Sequence, residues 1–428
     1  MKAINRDILS LAIPSIITNI TTPLLALMDV VIVGHMGSPD YIAAIAVGGT
    51  IFNMLYWLFA FLRMGTSGLT AQANGSSDKK GCAQVLSRGL IVALIASAVI
   101  IILQKPLLNL TLDFLEVNGP VRELASIYFT ILVWGAPASL ATFTLTGWLL
   151  GMKNARAPMW IAFVVNLTNI AVSLILVFVF GLKVDGVASG TLTAQWLGVL
   201  TGLAIVLIKY KPSPGNIREI IRLSDLRRFF RVNTDIFFRT LCLIAVTVWF
   251  TRTGSTQGTI ILAVNTLLMQ FFILFSYFMD GFAFAGESLC GNIIGSGDRE
   301  KLRECIKALF RWSIAMVLIF TVIYAVGGES IMSLLSDDAG VRMSAKEYYS
   351  WVIAIPAVGF AAFTWDGIFI GATKTREMLL SMATATAVYF ILLRLLFPAI
   401  GNHGLWIAFL AYLLTRGVAL TAMRRRIL

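Results

Sequence analysis

Long apolar stretches along the chain alternate with short clusters of glycine, proline and charged residues. The hydrophobic runs fall at about 8–34, 42–73, 83–103, 121–151, 157–180 and 185–208, then at about 224–251, 258–290, 301–325, 342–372, 377–397 and 403–423. Each reaches the roughly 20 residues that a helix needs to cross a bilayer, so the pattern predicts an all-α membrane protein of twelve transmembrane helices. Between the two sets lies KYKPSPGNIREIIRLSDLRR (209–228), with Pro212, Pro214 and Gly215. The expected organisation is a six-helix lobe at 1–208, a linker at 209–223 and a second six-helix lobe at 224–428, related by a pseudo-two-fold axis.

The two sets repeat each other. HMGSPDYIAAIAVG (35–48) matches RTGSTQGTIILAVN (252–265) at an offset of 217, while GSSDKK (75–80) matches GSGDRE (295–300) and GWLLGMKNAR (147–156) matches GIFIGATKTR (367–376) at 220. Six crossings return the chain to the same side, so the repeats are parallel about an axis along the membrane normal, a design of secondary transporters. At the first offset Arg63 stands opposite Asp280, and Asp29 opposite Val246. Pro14, Pro23, Pro137 and Pro356 fall inside spans; Pro137 and Pro356 occupy nearly matching repeat positions and are the better hinge candidates.

Composition agrees with the pattern. The residue set AVILMFWYC makes up 58% of the 428 residues and charged residues 13%, against roughly 45–50% and about 25% in soluble domains. The net charge of +12 would suggest nucleic acid in a soluble protein, but the cations sort by loop. Lys2 and Arg6, Lys79 and Lys80, Lys153 and Arg156, the linker, Arg299 and Lys301, Lys374 and Arg376, and Arg424 to Arg426 all fall on one side. The positive-inside rule makes that side cytoplasmic, with both termini there. The expected location is a plasma membrane, the inner membrane of a bacterium, with no nucleic-acid partner. MKAINRDILSLAIP runs into the first span without a cleavage signal and reads as that span. Cys82, Cys242, Cys290 and Cys305 lack C-x-x-C spacing and the histidines are only His35 and His403, so no zinc, haem or iron–sulfur cofactor is expected.

An acid inside a span costs at least about 2.5–3.5 kcal/mol at a helix centre and is a functional candidate by default. Asp29, in LLALMDVVIVG, lies about five residues, roughly 7.5 Å, below the outer end of the first helix. Thr191 on the sixth helix, and Ser173 and Asn169 one turn apart on the fifth, reach similar depth. A carboxylate among amide and hydroxyl oxygens suits Na⁺, and a desolvated carboxylate suits a proton; small polar residues also bond helix to helix. In the second half, Asp235, Asp280 and Asp366 fall in the cytoplasmic halves of their helices. Asp235 and Arg239, spaced i, i+4, are positioned to neutralise each other. Phe271, Phe272, Phe275, Tyr277 and Phe278 either line a cavity for flat cations or face lipid.

The layout, with GTSGLTAQANGSSD (65–78), GWLLGMKNARAP (147–158), ESLCGNIIGSGD (287–298) and DGIFIGATKTREM (366–378), resembles the multidrug and toxic compound extrusion (MATE) family. PLLALMDVVIVGHMGSP, NTDIFFRTLCL and MDGFAFAGE are similar to its DinF-like branch. The resemblance covers essentially the whole chain. It implies no enzyme, but an antiporter in which H⁺ or Na⁺ enters while a small organic compound, cationic or amphipathic, leaves by alternating access, working as a monomer in the lipid bilayer. It assigns cation coupling to Asp29, Asn169 and Thr191. Ser173 stands where many relatives carry a second Asp, which favours H⁺ over a transient Na⁺ at Asp29. Asp235, Asp280, Asp366 and Arg63 are second-tier cleft or gating candidates. Two other functions fit the class of chain. A lipid-linked precursor flippase needs several cations facing its cleft, whereas the intramembrane residues here lean acidic. A membrane-embedded prenyltransferase needs paired Asp-rich motifs, and the only adjacent pair, Asp337 and Asp338, sits in an expected external loop.

Overall fold

A computed structural model of the chain describes residues 2–34 and 38–427, with side chains at all of these but 22, 24–27 and 30. His35 and the first three positions of the 35–48 repeat segment lie outside the described residues. Among the described residues every regular element is helical. Eleven segments are long and apolar enough to cross a membrane, and the 33-residue helix Lys2–Gly34 makes twelve. In chain order they are α1 (Lys2–Gly34), α2 (Pro39–Gly75), α3 (Lys79–Ile102), α4 (Gly119–Gly151), α5 (Arg156–Val179) and α6 (Val184–Lys209), then α7 (Leu223–Ser255), α8 (Thr259–Ser296), α9 (Arg299–Leu335), α10 (Ala339–Gly371), α11 (Thr375–Ile400) and α12 (Asn402–Arg426). An extra helix, Gln104–Phe114, follows α3 where the hydrophobic pattern left a loop.

Outward-facing side chains such as Ile102, Phe178 and Val326 are apolar and exposed, as helices solvated by lipid require. Pro137 follows a 3₁₀ turn at Val133–Gly135 that interrupts α4, whereas α10 continues through Pro356. The hinge candidates are therefore not equivalent in structure.

The repeat survives as backbone geometry. Asp78 Oδ1 accepts from Gly81 N at 2.8 Å and Asp298 Oδ1 from Lys301 N at 2.9 Å, capping α3 and α9. Ser77 (φ 61°) and Gly297 (φ 77°) turn left-handed before those caps, and Lys153 (φ 60°) and Thr373 (φ 52°) do so after α4 and α10. A Cβ on Gly147 would lie 2.2 Å from Arg63 O, and one on Gly367 would lie 2.0 Å from Ala283 O. Gly151 meets Ser67 O and Gly371 meets Glu287 O in the same way. Small residues thus let α4 press on α2, and α10 on α8. These contacts keep an offset of 220, which corrects the register at α2: the counterpart of Arg63 is Ala283, not Asp280.

The chain forms two compact units, Ile17–Phe230 and Met1–Ile16 with Arg231–Leu428. Residues 2–16, assigned by hydrophobic pattern to the first lobe, pack with the second half. The core of that second unit corrects the expectation for the α8 aromatics. Phe271 and Phe275 are fully buried, and their rings meet Tyr324 at 5.1 Å and Phe320 at 5.5 Å edge-on. Phe272 and Phe278 pack against the same core. Edge-to-face ring pairs hold Phe271 and Phe275 in this core, while Phe272, Tyr277 and Phe278 stay partly exposed.

Candidate functional site

Asp29 lies five residues before the end of α1 at Gly34. Within the unit Ile17–Phe230, α5 carries Asn169 and Ser173 and α6 carries Thr191. Asn169 and Ser173 are one turn apart on α5 and fully buried. Asn169 Nδ2 donates to Thr191 Oγ1 at 2.8 Å, and that hydroxyl donates to Val187 O at 3.0 Å. The back-bond to the preceding turn uses the single hydroxyl proton, so Thr191 presents a lone pair to the α5 amide. Ser173 rests on Gly190: a Cβ there would lie 2.1 Å from Ser173 Oγ, so a larger residue at 190 would force α5 and α6 apart.

Tyr128 of α4 joins these groups to α1. Its phenol interacts with the Thr191 side chain and lies within electrostatic reach of Asp29. The ring is seated against Gly48 of α2, where a Cβ would come within 2.3 Å of Tyr128 Cδ1. No local pattern marks Tyr128; in sequence it is one aromatic among the apolar residues of a span.

Three buried oxygens, Asp29 Oδ1, Asn169 Oδ1 and Ser173 Oγ, have no hydrogen-bond partner among the described residues. Such an atom costs about 1–3 kcal/mol when left unsatisfied. Among the described residues no three His, Cys, Asp or Glu side chains converge. The candidate residues therefore include one carboxylate, which can take a proton, and two neutral oxygens of the kind that ligate a small hard cation.

A different cluster lies in the second unit. Asp366 Oδ2 of α10 accepts from Arg239 Nη2 of α7 and Arg416 Nη2 of α12. All three side chains are buried. The Arg416 guanidinium lies 5.5 Å from the Tyr412 ring centroid and within electrostatic reach of Asp280. The expected Asp235–Arg239 pair is thus replaced: Arg239 turns to Asp366, and Asp235 Oδ2 accepts from Thr375 Oγ1 at 2.8 Å. A local i, i+4 pair is worth only about 0.2–0.5 kcal/mol, whereas a buried carboxylate left unpaired costs several. Arg63 is half-buried on α2 and contributes its carbonyl to the α4 crossing.

Glu287 is fully buried and escaped the depth count, because the hydrophobic run ends near 290 while α8 continues to Ser296. Asp338 caps α10, accepting from Gly340 N at 2.8 Å and Val341 N at 3.0 Å, which gives the adjacent acid pair a local structural task.

The MatE family model matches residues 14–175 and again 235–396, so one pattern occurs twice. DNA damage-inducible protein F of Escherichia coli (strain K12) is 39% identical over 422 residues, covering 97% of this chain and 91% of that protein. A probable multidrug resistance protein NorM of Idiomarina loihiensis is 24% identical over 443 residues, covering 97% and 92%. In three dimensions, a multidrug resistance MATE family transporter of the MOP superfamily in its outward-facing conformation superposes with a TM-score of 0.89. That match covers 99% of this chain and 96% of the other at 21% identity.

Proposed function

The chain belongs to the MATE family of multi-pass membrane transporters, and from that premise we propose that it is a cation-coupled antiporter exporting drug-like organic compounds by alternating access. The observation that carries the reading is the Asp29 carboxylate, with a buried, unpartnered oxygen, linked through Tyr128 to the Asn169–Thr191 pair.

In this reading the coupling cation and the substrate compete. Cation occupancy at Asp29 changes the packing of α1 against its neighbours, biases the conformational equilibrium and lowers substrate affinity by differential binding to the two states. One charge moving down 100 mV supplies about 2.3 kcal/mol, enough for a roughly 40-fold gradient of an uncharged substrate; exchange for a monovalent cationic substrate is electroneutral and draws on the concentration gradient of the ion alone. H⁺ is the favoured ion because Ser173 leaves the site a single carboxylate, which one proton neutralises. Na⁺ is the second reading, favoured by the two neutral oxygens of Asn169 and Ser173 that accompany it. The substrate is taken to be a cationic or amphipathic organic molecule, the protein a monomer, and both termini cytoplasmic at a bacterial inner membrane. Asp366 is assigned to holding α7, α10 and α12 together; Asp235, Asp280 and Arg63 stay second-tier gating candidates.

Efflux of a cationic dye from proteoliposomes under a pH gradient alone, then a Na⁺ gradient alone, tests the reading. The proton version expects efflux in the first. Efflux driven only by Na⁺ selects the second version, and efflux in neither overturns coupled antiport.

A further inference from the structure

At one end of the unit Ile17–Phe230, a cavity of about 760 Å³ opens between the α2–α3 turn, the start of α3, the end of α4 and the chain that follows α6. That volume lies within the range of small-molecule sites. Lys79, Lys80, Lys209 and Lys211 line it. Among the described residues only Lys80 has an acidic partner, Glu219 at 2.8 Å. The other nearby acid, Asp78, is engaged in capping α3 at Gly81 N. Glu219 thus offsets one of the four cations, and Lys79, Lys209 and Lys211 have no acidic partner among the described residues.

The wall behind them is aromatic and fixed. Trp148 is fully buried, its indole N–H donates to Cys82 O at 2.8 Å, and its ring meets Tyr210 edge-on at 5.1 Å. The linker that supplies Lys209 and Lys211 is docked. Asn154 Nδ2 donates to the Tyr210 hydroxyl at 3.0 Å, and Gln84 Nε2 donates to Pro214 O at 3.2 Å. The buried Arg88 donates to Ile220 O at 2.6 Å and to Asp225 Oδ2 at 3.0 Å.

The repeat does not reproduce this cavity. At the 220 offset, Lys80 becomes Glu300 and Trp148 becomes Ile368. It is an addition to the first unit, separate from the features both halves share.

We propose that this cavity binds a phosphate group through Lys79, Lys209 and Lys211, supplied in the bilayer by an anionic phospholipid headgroup whose apolar part lies along the Trp148–Tyr210 wall. Basic pockets between spans at the positive side of a membrane protein recognise such headgroups, and the loops that form this cavity are those where the sequence concentrates its cations. A phosphate seated here bridges the linker to the starts and ends of three helices, so its presence holds the linker down.

The full-length protein is placed in nanodiscs of phosphatidylcholine, alone or with one-third phosphatidylglycerol, and amide hydrogen exchange is followed at 209–216. The expected result is exchange slowed at least fivefold by phosphatidylglycerol in the wild type, with no effect in the triple variant Lys79→Gln, Lys209→Gln, Lys211→Gln. The triple Lys→Arg variant keeps the charge and should keep the protection, which separates loss of the site from misfolding. In phosphatidylcholine discs, glycerol 3-phosphate and inorganic phosphate are titrated; protection by these without a phosphatidylglycerol effect identifies a soluble phosphate as the occupant. No protection by any of the three in the wild type, or equal protection in the Gln variant, overturns the proposal.

Discussion

Replacing Asp366 with Asn keeps the shape of the side chain and an acceptor oxygen but removes the charge that Arg239 and Arg416 share. The three residues are 8%, 7% and 3% exposed, so water screens little of the loss. Removing one partner of a buried ion pair costs about 3–5 kcal/mol. Asp280, within reach of Arg416, supplies part of the missing charge and places the expected value near the lower end, about 3 kcal/mol. At 1.4 kcal/mol per factor of ten, that shifts the folding equilibrium by roughly two orders of magnitude. Denaturant unfolding in detergent micelles, followed by circular dichroism, measures it. Adding Arg239→Met should restore more than half, since Arg416 then faces Asp280 alone. A single variant within about 0.5 kcal/mol of wild type would refute the structural assignment, and lost transport in that stable protein would move Asp366 into the transport cycle.

Other outcomes follow from the same geometry. Gly147→Ala and Gly367→Ala place a Cβ within 2.2 and 2.0 Å of facing backbone oxygens and should each destabilise by about 1–3 kcal/mol. Gly49→Ala meets nothing within 4 Å and should gain up to about 1 kcal/mol; thermal unfolding ranks the three. Thr191→Val removes the acceptor of the buried Asn169 amide and should weaken cation competition by about 1–3 kcal/mol, read as the cation concentration that releases half of a bound dye. The hydrogen bond from Lys80 holds the Glu219 carboxyl below its ordinary value of 4.5. A depressed carboxyl stabilises the docked linker above that value and loses the effect as pH falls through the lowered one. Exchange protection at 217–222 should therefore decline in acid, while Glu219→Gln shows a flatter profile.

The architecture was legible because in lipid the length and apolarity of a run nearly determine the element it forms. The repeated strings were visible too, and they turn out to record backbone needs: an Asp cap, a left-handed turn and a glycine crossing, each recurring at 220. Depth along a helix put Asn169 and Thr191 at one level, where they hydrogen-bond to each other, and made Asp29 a candidate. What local spacing could not supply was the partner of Arg239, which lies 127 positions away and outcompetes a neighbour one turn off. Tyr128 carries no signal either, since its phenol matters only through what the packing of α4 sets beside it. Glu287 was hidden by a boundary error of six residues, which moved a buried acid to an apparent interface.

The central claim is that the coupling cation and the substrate compete through Asp29. Purified protein in weakly buffered detergent solution, titrated with a cationic dye while a pH electrode records proton release, tests it directly. The account predicts release of about one proton per dye bound in the wild type and none in Asp29→Asn, which still binds dye. Equal release from both proteins would contradict it.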